Sequence, residues 1–117
     1  MLRYLFFTAM FIHGLIHLTG FVMAFGYGGL NLTTNHISRA NGILWLIASF
    51  LFVLASILFL LKHDAWLLAT ILAGIVSQVL IFMFWSDAKF GTIANVIIVT
   101  VAIIAAAGKE MKYIFRD

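Results

Sequence analysis

His13 and His17 stand four residues apart in "MFIHGLIHLTGF", inside the first long apolar run of the chain. Imidazole is the side chain that most readily exchanges a proton near neutral pH and the commonest nitrogen ligand for a metal. An i, i+4 pair on a helix presents both rings on one side, as helical metal sites do. The same face can donate or accept hydrogen bonds to an organic ligand, hold one axial position of a haem, or pass a proton. It can also act as polar cement between helices, with both rings neutral and bonded to neighbours.

The rest of the chain narrows these uses without choosing among them. No Asp, Glu or Cys falls inside any of the long apolar runs. Further metal ligands would therefore come from Gln78, Asn95, water or another subunit, and magnesium or calcium is disfavoured because each takes oxygen, much of it from carboxylates. Two histidines on one helix cannot fill both axial positions of a single haem, so a haem would need one ligand and an open face, or ligands shared across a dimer. A quinone-like molecule would need only hydrogen bonds from His, Gln or Asn inside an apolar cavity. No nucleophile or acid–base dyad stands out, so the expectation leans away from an enzyme. Cysteine is absent, which excludes disulfides and thiol chemistry.

These residues must be positioned by membrane-spanning helices. Of the 117 residues 65% are hydrophobic and 9% charged, and the mean hydropathy is +1.17. A soluble domain carries about 25% charged residues. Four apolar runs, about 4–26, 41–61, 65–85 and 90–108, each approach the roughly 20 residues that a helix needs to cross a bilayer. They are too long and too continuous for the alternating strands of a membrane β-barrel. The first run lacks a signal-peptide cleavage pattern and reads as a retained helix. The short "KHD" and "SDAK" connections imply antiparallel neighbours. The expectation is an all-α integral membrane protein: one domain over 1–117, four transmembrane helices in an up-down-up-down bundle, without proline kinks.

Lys and Arg set the orientation. Arg3, Lys62, Lys109, Lys112 and Arg116 would lie on one side, and only Arg39 and Lys89 on the other. Both termini are therefore expected in the cytoplasm. Tyr4, Tyr27, Trp66, Trp85 and Tyr113 fall near the interfaces and Trp45 about one turn inside, all explicable as membrane anchors. The basic balance carries no basic run, so nucleic acid is not an expected partner; the bilayer is, with other membrane subunits or a second copy as further partners.

Small residues at four-residue spacing mark the faces expected to meet: Gly20 and Ala24; Ala69, Ala73 and Ser77, with Thr70, Gly74 and Gln78 beside them; Ala102 and Ala106. At 100° per residue, His13, His17, Gly20 and Ala24 fall within about 60° of one another, on a face that should point inward. Counting 1.5 Å per residue puts His17 about 14 Å, Ser49 about 12 Å, Gln78 about 10 Å and Asn95 about 8 Å below the outer edge. His13, His17, Ser49, Gln78 and Asn95 are thus the candidate ligand-binding layer. His36, Arg39, Asp87 and Lys89 are the candidate rim of a pocket above it. Asp87 is also placed to cap the fourth helix or to pair with Arg39.

The combination of "HGLIHLTGF" in the first helix and "WSDAKFGTIANVII" at the junction of the third and fourth resembles small four-helix bacterial membrane proteins of the DoxX-like kind. The resemblance covers nearly the whole chain. It implies a bacterial inner-membrane location and an accessory role near quinone, since DoxX relatives include a small subunit of a thiosulfate–quinone oxidoreductase. It supplies no catalytic residue to carry onto these positions.

Overall fold

The computed structural model describes residues 2–26 and 37–107. Among them all regular structure is helical: α1 Leu2–Ala24, α2 Arg39–Leu60, α3 Trp66–Met83, the single turn α4 Trp85–Ala88, and α5 Gly91–Ala107. Helices α1, α2 and α3 are each long and apolar enough to cross a membrane; α5, at 17 residues, is a shorter apolar helix. Their outward surfaces are covered by Leu, Ile, Val and Phe, with Phe50, Phe82 and Ile93 all more than 60% exposed. That surface suits lipid and not water.

Local chemistry sets the ends. Ser38 caps α2 by accepting the Asn41 N–H at 3.2 Å. At the other end, the His63 amide donates to Leu58 and the Lys62 amide to Phe59, with Lys62 at φ +60°. This is a Schellman closure with lysine in the place that glycine usually takes. The Arg3 guanidinium donates to the carbonyl of Leu60, supplying one of the last α2 acceptors with a partner.

The junction after α3 differs from a plain "SDAK" turn. Helix α3 stops at Met83 because Phe84 leaves helical geometry (φ −117°, ψ 39°), and its carbonyl then accepts from Asp87 and Ala88 to start α4. Asp87 therefore lies in the first turn of α4.

Packing follows chain order, α1 on α2, α2 on α3 and α3 on α5, while α1 and α5 meet along a thin seam. Close approach comes from small residues. A Cβ on Gly20 would lie 2.4 Å from the Trp45 ring, one on Gly42 2.3 Å from Ala24, and one on Gly74 2.6 Å from Val99. Ala69, Ala73 and Ser77 face inward as their spacing indicates. On α5 the inward alanines are Ala102 and Ala105, and Ala106 is exposed, so the row follows a three-residue step there.

Near the Arg3 end Phe6, Met10, Phe52, Phe59, Ala69, Ala73 and Ile98 form a core cluster. Trp66 joins it edge-on, 5.0 Å from the Phe59 ring and 5.9 Å from Phe6. Trp66, half-buried at the start of α3, packs against this cluster, and Trp45 is buried in a second one. Tyr27 and Tyr113 lie outside the described residues.

Candidate functional site

Helix α1 turns His13 and His17 inward because both share its buried face with Met10, Gly14 and Gly20. Phe52 of α2 lies against both rings, at 4.8 and 5.4 Å between centroids, and Trp45 lies 5.2 Å from His17. The two imidazoles meet edge to face, 4.6 Å apart at 82°. From α3 come Ser77 and Gln78, and from α5 Asn95 and Thr92.

With neutral rings and the amides as placed, the hydrogen bonds among these groups run in a consistent direction. His17 Nδ1 lies 2.8 Å from the carbonyl oxygen of His13. A carbonyl only accepts, so Nδ1 carries the hydrogen and Nε2 of the neutral ring accepts. Ser77 Oγ, 2.6 Å from that Nε2, must donate to it. With its single hydrogen used, Ser77 accepts from Asn95, which makes the amide atom at 2.9 Å Nδ2. The same Nδ2 donates to Gln78 Oε1 at 3.0 Å, and Gln78 Nε2 donates to Thr92 Oγ1 at 3.0 Å. Asn95 Oδ1 is then the atom 2.8 Å from His13 Nε2, and His13 donates to it. This assignment follows the Asn95 amide as the structure places it, with its oxygen toward His13 and its nitrogen toward Ser77 and Gln78.

Two results follow. The circuit His13–Asn95–Ser77–His17 closes back onto the backbone of α1 and ties α1 to α3 and α5. Each such inter-helix bond in a membrane is worth roughly 0.6 kcal/mol on average. The circuit also leaves His13 Nδ1 as a bare lone pair, with no hydrogen-bond partner among the described residues.

Beside the circuit lies a cleft of about 230 Å³. Its walls are α1 (His13, His17, Gly20), Trp45 of α2, and the α3–α5 junction (Ile81, Asp87, Gly91). Exposed Ile16 and Phe90 stand at its open side. Pockets that enclose drug-sized molecules run to about 300–1,000 Å³, so this one fits a single ring and not a macrocycle.

Of the candidate layer, His13 and His17 line the cleft. Asn95 and Gln78 sit behind His13 as its bonded support, and both are turned inward or half-buried. Ser49 is buried on α2 with its carbonyl against Gly14, outside the circuit. Of the rim, half-buried Asp87 lines the cleft. Arg39 and Lys89 are exposed and lie over the Phe25 and Phe90 rings, at 5.7 and 5.5 Å. His36 lies outside the described residues.

A metal would find little here without rearrangement. Both nitrogens of His17 are bonded, one nitrogen of His13 is bonded, and among the described residues no three His, Cys, Asp or Glu side chains converge. A relay of protons would have to cross the Asn95 amide, a poor carrier, and would end at a backbone carbonyl.

Sequence reasoning had Ser77 only as a small packing residue and passed over Thr92 and the role of Trp45 as a cleft wall. The available signal was a hydroxyl in an otherwise alanine row, 60 positions from His17. No protein-family model, no curated protein and no solved structure matches the chain.

Proposed function

We propose that the chain is a four-span, antiparallel inner-membrane protein whose cleft beside His13 binds the ring of a small lipid-soluble, quinone-like molecule, as an accessory protein without chemistry of its own. One observation carries the reading. In a layer where the other bonded polar groups satisfy one another, an imidazole nitrogen without a partner belongs to a residue that lines a ring-sized cleft. The exposed apolar side chains at the mouth offer a tail a path into lipid. The five-to-two division of Lys and Arg supports cytoplasmic termini. The likeness of "HGLIHLTGF" and "WSDAKFGTIANVII" to DoxX-like proteins supports a bacterial membrane and a place among other subunits or a second copy.

A second reading also has its own observation. The circuit joins three helices with its inner bonds closed, which is what polar cement between helices looks like. On that reading the protein is a structural or partner-binding subunit.

Titration of purified protein in lipid nanodiscs with a short-tailed quinone and a short-tailed phenol, read by tryptophan quenching at Trp45, separates the two. Binding that is lost in Ala88→Leu, which fills the cleft wall, supports the ligand reading. Absence of binding by either probe, or binding indifferent to that substitution, overturns it and leaves the structural one. An absorption spectrum and elemental analysis of the same sample test for haem and metal.

A further inference from the structure

We infer that the cleft selects a hydroxyl, not a carbonyl: among quinone-like molecules it takes the reduced, phenolic form in preference to the oxidised one. The inference rests on the ligand-binding reading above and specifies its ligand.

The bond from His17 Nδ1 to the His13 carbonyl cannot be reversed. The His13 carbonyl fixes the hydrogen on His17 Nδ1, and that choice passes through Ser77 and Asn95 to fix the hydrogen of His13 on Nε2. His13 therefore shows the cleft an acceptor. His13 lines the cleft, and the Trp45 indole N–H in the same wall is buried without a hydrogen-bond partner. Of the other polar side chains lining the cleft, Thr19 gives its hydroxyl hydrogen to the Ile16 carbonyl and Asp87 carries a carboxylate, so these too offer acceptors, while the Trp45 donor is sealed. A quinone carbonyl brings a second acceptor toward the lone pair and gains nothing there. A phenol O–H donates to it. Its oxygen remains able to accept from Trp45 should that ring shift, a match that a carbonyl makes only in part.

Neutral hydrogen bonds contribute about 0.5–1.5 kcal/mol, so the preference should be about two- to tenfold. By linkage, a tenfold preference for the reduced form raises the midpoint of a bound two-electron couple by about 30 mV. Such a site holds reducing equivalents in place and does not extract them.

The test compares three probes in nanodiscs: 4-octylphenol, its methyl ether, and an octyl-substituted benzoquinone. The ether keeps the shape and removes the donor, without any redox change. The expected result is phenol binding up to tenfold tighter than either of the others. In His13→Gln, the amide nitrogen can still reach Asn95 while no atom takes the place of Nδ1, and the preference should vanish with thermal stability little changed. Equal affinity for phenol and ether, or tighter quinone binding, overturns the inference while leaving the cleft a ligand site. Failure of all three probes to bind overturns the ligand reading and the inference with it. If His13→Gln does not fold, the phenol-to-ether ratio in the unaltered protein still decides.

Discussion

The two ends of the molecule hold their helices together by different means. Near Arg3 the buried hydroxyls turn back onto their own helices: Ser56 donates to Val53 and Thr70 to Trp66, each at 2.7 Å. Apart from the Arg3 bond to the Leu60 carbonyl and a long Thr70 contact to the Met10 sulfur, what joins one helix to the next there is shape, chiefly the edge-on packing of Phe6, Phe59 and Trp66. Near Asp87 the hydroxyl of Ser77 and the amides of Gln78 and Asn95 bond across helices instead. Close-packed rings fill space, whereas directed bonds can span it. The cleft lies at the end built from directed bonds.

The contrast can be broken from either side. Gly20→Val should have the largest effect, because a Cβ there lies 2.4 Å from the Trp45 ring and both belong to main-chain or ring positions that give little. We expect a loss of about 3 kcal/mol or failure to accumulate, measured by denaturation in mixed micelles. Wild-type stability would mean that Trp45 is not seated on α1 as described. Phe59→Ala should cost about 2–3 kcal/mol through lost packing, yet leave phenol binding within twofold. A large change in binding would erase the division between the ends.

Asn95→Leu removes the group common to His13, Ser77 and Gln78, and should cost about 1–2 kcal/mol. A double-mutant cycle with Ser77→Ala should show strong non-additivity, and simple additivity would argue against a connected circuit. The smallest effect is at the other end. Lys62→Gly relieves a left-handed lysine and should raise stability by up to about 1 kcal/mol, with no change at the cleft.

Much of this was legible in the chain, and unevenly so. The inward face of α1 followed from the spacing of His13, His17 and Gly20, because a histidine in a greasy run has only one good direction to point. The depth count brought Asn95 and Gln78 near the same level, where they do bond each other. Ser49 shared that level, yet it presents its backbone carbonyl to Gly14 and lies outside the circuit, since depth says nothing about rotation. The rotation of α3 and α5 was not legible because their outward and inward faces are both apolar. For the same reason Ser77 looked like one more small residue in the row of Ala69 and Ala73. The break at Phe84 left no proline or glycine to announce it. Which nitrogen of His13 stays bare depends on Asn95, 82 positions away, and no local pattern records it.

The bond from His17 to the carbonyl of its own helix has a meaning for the order of synthesis. A ribosome adds about 5–20 residues per second, so Ser77 emerges some seconds after His17, and Asn95 follows His13 after a longer wait. Through that interval α1 would stand in the bilayer with two imidazoles and neither final partner. His17 can close half of its hydrogen bonding at once, using a carbonyl four residues back. His13 has no such provision among its bonds and must wait for α5. The nascent chain therefore carries its most exposed polar liability at His13 until the last helix arrives, the same atom group that later faces the cleft.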